Sequence, residues 1–570
     1  MDFQKLVELY EELEQTSSGN KMRELLSDFF KKVPPGEIGL VTYLTLGRLA
    51  SEFDDVVLGM AEKSVLKAIA LAAGQDLSKI QKMIRETGDA GSVAEKMWQK
   101  KPRPLVSTSP LTIHELFEKL HKIASSSGPG SQDLKTNLLA SLLSKASAKE
   151  AKYVVRIALS QLRMGVGDMT VLDALAIAYT GDKKNKEFLE KAYNICPDVK
   201  IIAETLVAKG LKGLEKIDLH VGRPIKMMLA QRVQELEEIP EKMEGKIAVE
   251  AKFDGERVQT HKDQKGKITL FSRRLENITH QFPDLVEYLK KYLQPKEFVL
   301  EGEIIAVDEK ENPLPFQTLM QRRRKYDITE YVKKIPLQLK VFDFLFIDGK
   351  SLLHESYEKR WHYLEKSINK NNHLMPADRI ITESVEEIDE FFQKMLKKKY
   401  EGIIAKSLAG EYQAGTRGWQ WIKWKKEYVK EMVDTFDLVI VGAYYGRGRR
   451  SGVYGALLCA AYNQKKDSFE TVCKVGTGFT DKLLEELPKK LKKYQMNAKP
   501  ARINCKKEME PNVWFEPKLV IEILAAEITK SPFHSAELAL RFPRFVRFRE
   551  DKKAEQATTI EEIKEMVREK

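Results

Sequence analysis

The chain has 570 residues, 42% hydrophobic and 32% charged, a balance that supports several packed cores of about 100–200 residues each and excludes wholesale disorder. A net charge of +12 permits binding to a phosphate backbone without requiring it. The four cysteines, Cys196, Cys459, Cys473 and Cys505, form no CxxC pair, which argues against a four-cysteine zinc module and for a reducing compartment. No apolar run approaches a membrane span, and the first segment, MDFQKLVELYEELEQ, carries charges where a leader needs an apolar stretch. The expectation is a cytoplasmic protein, nuclear if the cell is eukaryotic, with no membrane partner.

Up to about residue 220 apolar residues recur at three- and four-residue spacing, as in AEKSVLKAIALAAG, which predicts an all-α domain. Breaks fall at Pro34-Pro35-Gly36, at Lys101-Pro102-Arg103-Pro104 and between Ser125 and Ser131. Residues 162–176 place glycines and Arg163 ahead of a helix starting at Asp168 or Thr170. That loop either lends backbone N–H groups to a phosphate or is a plain interhelical turn. Past Gly222-Arg223-Pro224 the period becomes alternating, with strands expected at 246–253, 256–262, 268–272, 297–307, 338–347 and 402–407 and a helix over 383–399. This is an α+β domain. After about residue 429, DLVIVGAYYG, GALLCAAYN and VWFEPKLVIEILAAEIT read as short strands of a small β-barrel. The expected division is 1–222, 223–428 and 429–570.

KIAVEAKFDGERVQTH, residues 246–261, reads as a hairpin turning at Asp254-Gly255. Period two puts Ile247, Val249, Ala251 and Phe253 on one face and Glu250 with Lys252 on the other; the alternative is a surface hairpin with a solvated lysine. In FVLEGEIIAVD, Glu301 and Glu303 share a face. Phe342, Phe344 and Phe346 share a face of a strand flanked by apolar residues, so any of them can be core. Trp419, Trp421, Lys423 and Lys425 fall on one face of RGWQWIKWKK. In EGIIAKSL alternation separates Glu401 from Lys406, so a shared role needs a turn near Gly402. RFPRFVRFR, residues 541–549, has a spacing that would anchor three phenylalanine rings and present guanidiniums to phosphate; a basic strand packed on a barrel is the alternative.

Taken in order, KFDGER (252–257), FSRRLENIT (271–279), FVLEGEIIAVD (298–308), KVFDFLFIDG (340–349), EGIIAKSL (401–408) and RGWQWIKWKKEY (417–428) resemble the motif series of the covalent nucleotidyltransferases: DNA ligases, RNA ligases and mRNA-capping enzymes. With MMLA (227–230), YYGRGRRSGVYGALL (444–458), KVGTGFTD (474–481) and LRFPRFVRFREDK (540–552), nearly the whole chain is similar to ATP-dependent DNA ligases of the archaeal and eukaryotic type. The resemblance implies a helical DNA-binding domain, an adenylation domain and an OB-fold. It also implies sealing of nicks in replication, repair and recombination.

The same resemblance implies that Lys252 carries AMP, that Glu250 accepts from the exocyclic amine of adenine, and that Phe342 stacks on the base. Arg257, Arg273, Glu303, Arg417, Lys423 and Lys425 complete the nucleotide site. Glu303 and Glu401 are the implied ligands of Mg²⁺, with Mn²⁺ as the alternative ion. Arg541, Arg544 and Lys552 would orient the departing pyrophosphate, and GRGRRSG (446–452) would track DNA backbone, with a solvated loop as the alternative. An ordinary lysine is only about 0.04% neutral at pH 7, so the motif cations are expected to favour the free amine at Lys252. ATP is the implied cosubstrate and nicked duplex DNA the partner of a monomer. A sliding clamp is a further candidate partner, but the loop WQKKPRPLVSTSPL (98–111) lacks the paired aromatics some archaeal ligases use, so clamp binding through that loop is not expected. An NAD-dependent ligase is disfavoured by the helical chain before Lys252 and the missing zinc site. The large N-terminal domain disfavours a capping enzyme or RNA ligase. A DNA-binding scaffold with a dead site needs a broken motif, and none is visible. A hinge is expected near Lys426 to Val433.

Overall fold

The structure, a computed structural model, describes residues 1–16, 18–54, 56–87, 89–99, 109–162, 164–233, 235–243, 245–322, 330, 332, 334–369, 371–425, 434–446 and 453–568. The expected hinge, most of the GRGRRSG loop and most of the loop at 98–111 lie outside the described residues. The chain divides into two compact units, Met1–Trp424 and Lys425–Lys570.

Helical periodicity in the first unit yields α-helices from Phe3–Glu14 to Val199–Leu214, sharing one apolar core that runs from Phe3 to Leu214. Helix Ala148–Ala158 shows the local logic. Ser147 and Glu150 satisfy each other's backbone N–H groups in a capping box, and Tyr153, Val154, Val155 and Ile157 are buried. The helix after the glycine-rich loop starts at Asp168, whose carboxylate accepts from Arg48 Nη1 at 2.7 Å. A negative charge already occupies that helix terminus, which supports the interhelical-turn reading.

The remainder of this unit holds two sheets built from β1 (Leu229–Arg232), β2 (Ile247–Lys252), β3 (Glu256–Lys262), β4 (Ile268–Ser272), β5 (Phe298–Ala306), β6 (Leu337–Ile347), β7 (Lys350–Ser351), β8 (Leu374–Pro376), β9 (Arg379–Thr382), β10 (Gly402–Ser407) and β11 (Arg417–Lys425). One sheet has the order β1-β11-β10-β2-β9, and the other β4-β3-β5-β6-β7 with β8 beside β6. The expected hairpin is corrected here, because β2 and β3 belong to different sheets. Asp254-Gly255 carries the chain across from one to the other, and β3 makes its hairpin with β4. The reason lies far along the chain: a Cβ on Gly255 would sit 2.2 Å from the Ile304 carbonyl oxygen. Gly255→Ala is therefore expected to destabilise by about 1–3 kcal/mol, read as a lower urea midpoint.

The second unit contains β12 (Asp434–Tyr445), β13 (Tyr454–Asn463), β14 (Ser468–Val475), β15 (Gln495–Met496), β16 (Ile503–Asn504), β17 (Val513–Phe515), β18 (Val520–Ala525), β19 (Glu527–Lys530), β20 (Leu538–Arg541) and β21 (Arg544–Phe548). An eight-stranded sheet runs β15-β17-β12-β13-β14-β16, with β18 joining β12 to β21. This is the sheet-rich OB-fold region. No described helix is long and apolar enough to cross a membrane.

Candidate active site

Strand β2 is buried on both sides, so Lys252 ends a rigid strand rather than riding on a surface hairpin. β10 lies antiparallel to it, pairing Lys252 with Gly402 and Glu250 with Ile404. Glu401 stands just ahead of β10, and Gly402 has a φ of +153°, a conformation for which glycine is suited. Gly402 is not a turn but the first residue of β10, with Glu401 just outside the strand. The Glu401 carboxylate accepts from Lys252 Nζ, while Lys406, further along β10, meets Glu250. The Glu401 backbone N–H donates to the Lys252 carbonyl at 2.8 Å, tying the two residues together a second time.

Lys406 is the buried centre of a cluster of side chains. Its Nζ lies 2.8 Å from Glu250 Oε2 and donates to the Phe342 carbonyl at 3.0 Å. It also sits 4.7, 4.7 and 4.4 Å from the ring centroids of Phe342, Tyr357 and Trp421. The Tyr357 hydroxyl donates to Glu250. Burial pushes the Glu250 carboxyl up to about 7, against the pull of Lys406 and Arg379 and with a push from Asp343. Burial also moves Lys406 below the usual lysine range. A carboxylate with its pKa raised by burial, beside the half-buried Phe342 ring, suits recognition of a base that carries an amino group.

The second sheet supplies the opposite wall. Arg257 Nη1 donates to the Met228 carbonyl at 2.8 Å, and Nη2 donates to Glu301 at 2.7 Å. The guanidinium lies 5.3 and 5.2 Å from the rings of Phe342 and Trp421, which meet edge to face at 6.1 Å. Its Nε is buried without a hydrogen-bond partner, a donor that a sugar hydroxyl can satisfy. Glu301 is fully buried and shared with Gln259 Nε2 at 3.0 Å, so of the two carboxylates on that strand Glu301 fixes Arg257. Glu303 pairs with Arg257 in register. Burial pushes it up to about 7, Lys252 and Arg257 pull it down, and Glu256 and Asp254 push it up.

Lys423, half-buried on β11, is held below the usual lysine range by burial and by the positive charges of Lys252, Arg417, Arg273 and Arg232. Four of the sequence-derived cations, Lys252, Arg273, Arg417 and Lys423, are therefore brought together. Lys425 closes the same strand. Within the second unit, Lys552 donates to Asp437 at 2.6 Å and Arg549 to the same carboxylate at 2.9 Å. Arg544 is exposed, and Arg541 lies 5.1 Å from the ring of Phe542. The anchoring expected of three phenylalanines holds for Phe545, stacked 4.7 Å from Phe479, and for Phe548 beside it. It fails for Phe542, which is 66% exposed because it occupies the connection between β20 and β21.

The match to known proteins spans the chain. Residues 2–176 match the model for the DNA ligase N terminus, residues 227–425 the ATP dependent DNA ligase domain, and residues 450–552 the ATP dependent DNA ligase C terminal region. DNA ligase 1 of Methanosarcina mazei is 43% identical, covering 99% of each chain, and the DNA ligase of Saccharolobus solfataricus is 43% identical over 99% of this chain and 97% of that one. The chain belongs to the ATP-dependent DNA ligases. A solved structure named Pmar-Lig_PreS3 is 18% identical with a TM-score of 0.55, covers 95% of this ligase and 99% of its own chain, and bears on the fold alone.

Among the described residues of this ligase, no group of three or more His, Cys, Asp or Glu is placed to hold a metal by itself. Glu303 and Glu401 nonetheless fit a hard cation that takes its other ligands from phosphate and water, since burial disfavours the ionised form of Glu303 and a bound cation would offset that. The residues that sequence reading missed are Tyr357, Trp421 as a wall of the base pocket, and Glu301 as the anchor of Arg257. Their partners come from distant strands; alternation put Trp421 and Glu301 on the right faces but said nothing of these roles, and Tyr357 had no local signal.

Proposed function

We propose that this ligase seals 5′-phosphate/3′-hydroxyl nicks in duplex DNA by carrying AMP on Lys252 Nζ. The observation that supports this most directly is the placement of one strand-end lysine between a carboxylate, Glu401, and a field of cations, next to the base pocket of Glu250 and Phe342. Nζ loses a proton, for which Glu401 is the neighbouring acceptor, and its lone pair attacks the α-phosphorus of ATP. The N–P bond forms as the bond to the β-phosphate oxygen breaks, and pyrophosphate leaves with the electron pair. An oxygen of the DNA 5′-phosphate then displaces Lys252 from AMP, and the 3′-hydroxyl attacks that 5′-phosphorus and expels AMP.

Lys423, Arg273 and Arg417 neutralise the phosphates, Arg257 meets the ribose, and Phe342 with Glu250 reads the base. Glu303 and Glu401 are the residues to hold Mg²⁺ or Mn²⁺, which offsets charge on the triphosphate when bound. The domain limits at 222 and 428, a monomeric state, a cytoplasmic location and the absence of clamp binding through residues 98–111 belong to the same reading.

Incubation with α-³²P-ATP is expected to label the chain, and nicked DNA carrying a 5′-phosphate is expected to remove the label. Labelled NAD is expected to leave the chain unlabelled. A chain labelled from NAD alone, or from neither, overturns the reading.

A further inference from the structure

We propose that Arg232 is a further triphosphate-binding residue of this ligase, which holds the β- and γ-phosphates of ATP beside Lys423 and then the departing pyrophosphate. The inference deepens the ATP reading and rests on it. β1 is the edge strand of its sheet and runs parallel to β11, starting with Leu229 opposite Arg417 and Ala230 opposite Gly418. Continued one to one, that register would set Arg232 opposite Gln420. Instead it slips after Ala230, so that Gln231 faces Ile422 and Arg232 faces Lys423. Bulges of this kind re-aim side chains beside active sites.

The residues of β11 passed over in the slip have work of their own. Trp421 packs on Arg257 and Phe342, and Trp419 lies under Lys242, 5.3 Å from its ring. The slip therefore builds a wall of the base pocket and delivers an exposed arginine to the phosphate-facing lysine at once. The charges acting most strongly on Lys423 are all positive, with Arg232 among Lys252, Arg417 and Arg273. A gathering of cations this dense favours a ligand with several negative charges over a nucleoside monophosphate with its single phosphate. Lys252 and Lys423 fit the α-phosphate. Arg232 stands one strand further out, about 4.8 Å on, on the side away from Lys252, where the leaving group of the first step must go. As the Pα–O bond breaks, the electron pair passes to pyrophosphate, and Arg232 stabilises the charge that develops there.

The test compares Arg232→Ala and Arg232→Lys in two half-reactions of the full chain. In Arg232→Ala, the KM for α-³²P-ATP in self-adenylation is expected to rise about tenfold or more, and pyrophosphate-driven removal of label from isolated protein–AMP is expected to slow to match. Sealing of a nick that already carries AMP on its 5′-phosphate involves no triphosphate, and its defect is expected to be at least about tenfold smaller. Arg232→Lys recovers most of the loss. Self-adenylation by Arg232→Ala within about twofold of the unmutated protein, or equal losses in both half-reactions, overturns the role of Arg232. An unmutated protein that takes no label from ATP overturns the ATP reading itself.

Discussion

Lys252→Ala is expected to abolish the acid-labile protein–AMP adduct and to lower sealing of unadenylated nicks by more than about a thousandfold. The other lysines near the site cannot replace it. Lys406 is fully enclosed and engaged by Glu250 and the Phe342 carbonyl, and Lys423 sits two strands away on β11 among arginines. Among the described lysines of the site, Lys252 combines a strand-end position with a carboxylate on Nζ. Because the last step needs the DNA 3′-hydroxyl and not the lysine nucleophile, nicks supplied with AMP already attached should still be closed at a measurable fraction of the normal rate. Gel detection of the radiolabelled adduct decides the matter: an undiminished adduct in the variant removes Lys252 from the mechanism.

The longer strands with clear alternation were legible to within a residue or two because alternation is a local property, whereas the short strands β1, β7, β8 and β9 were not expected. The expected runs 256–262, 268–272 and 402–407 coincide with β3, β4 and β10. Sheet membership was not legible. Asp254-Gly255 turns the chain equally well into a hairpin or across to a second sheet, and the choice is made by β5, which pairs with β3 from Glu256 to Lys262 and whose Ile304 carbonyl lies where a side chain on residue 255 would sit. The same holds within the site. Glu301 and Glu303 share a face, yet Glu301 is spent on Arg257 and Gln259 while Glu303 feels Lys252, although the register sets Arg257 opposite Glu303, so strand pairing alone does not assign them. Alternation did not apply to Glu401, which lies just outside β10 and meets Lys252, whereas Lys406 within the strand meets Glu250. Phe542 read as an anchor because its spacing matched Phe545, but spacing within a strand says nothing once the residue lies in the connection beyond it.

The second large effect is expected at Lys406. Lys406→Ala leaves Glu250 buried without its closest cation, and breaking a buried pair in this way costs about 3–5 kcal/mol, to be read as a lower urea midpoint. The groups facing Glu250 are Lys406 from β10, Asp343 from β6, Arg379 from β9 and the Tyr357 hydroxyl from helix Tyr357–Ser367. With Lys406 present, burial already raises the carboxyl to about 7; without it the value moves higher. Only the ionised form is a pure acceptor for an amino group. Self-adenylation from ATP should therefore rise with pH through about 7 in the unmutated protein, and the midpoint should move upward in Lys406→Ala. Glu303 ionises in the same range, so a purine riboside triphosphate without the 6-amino group separates the two. Glu303 affects both nucleotides, whereas the shift caused by Lys406→Ala should appear with ATP alone. Pairing Lys406→Met with Glu250→Gln removes both buried charges and should restore much of the lost stability without restoring the preference for ATP. If Lys406→Ala changes neither the urea midpoint nor the pH midpoint with ATP, Lys406 does not hold Glu250 in its reading position.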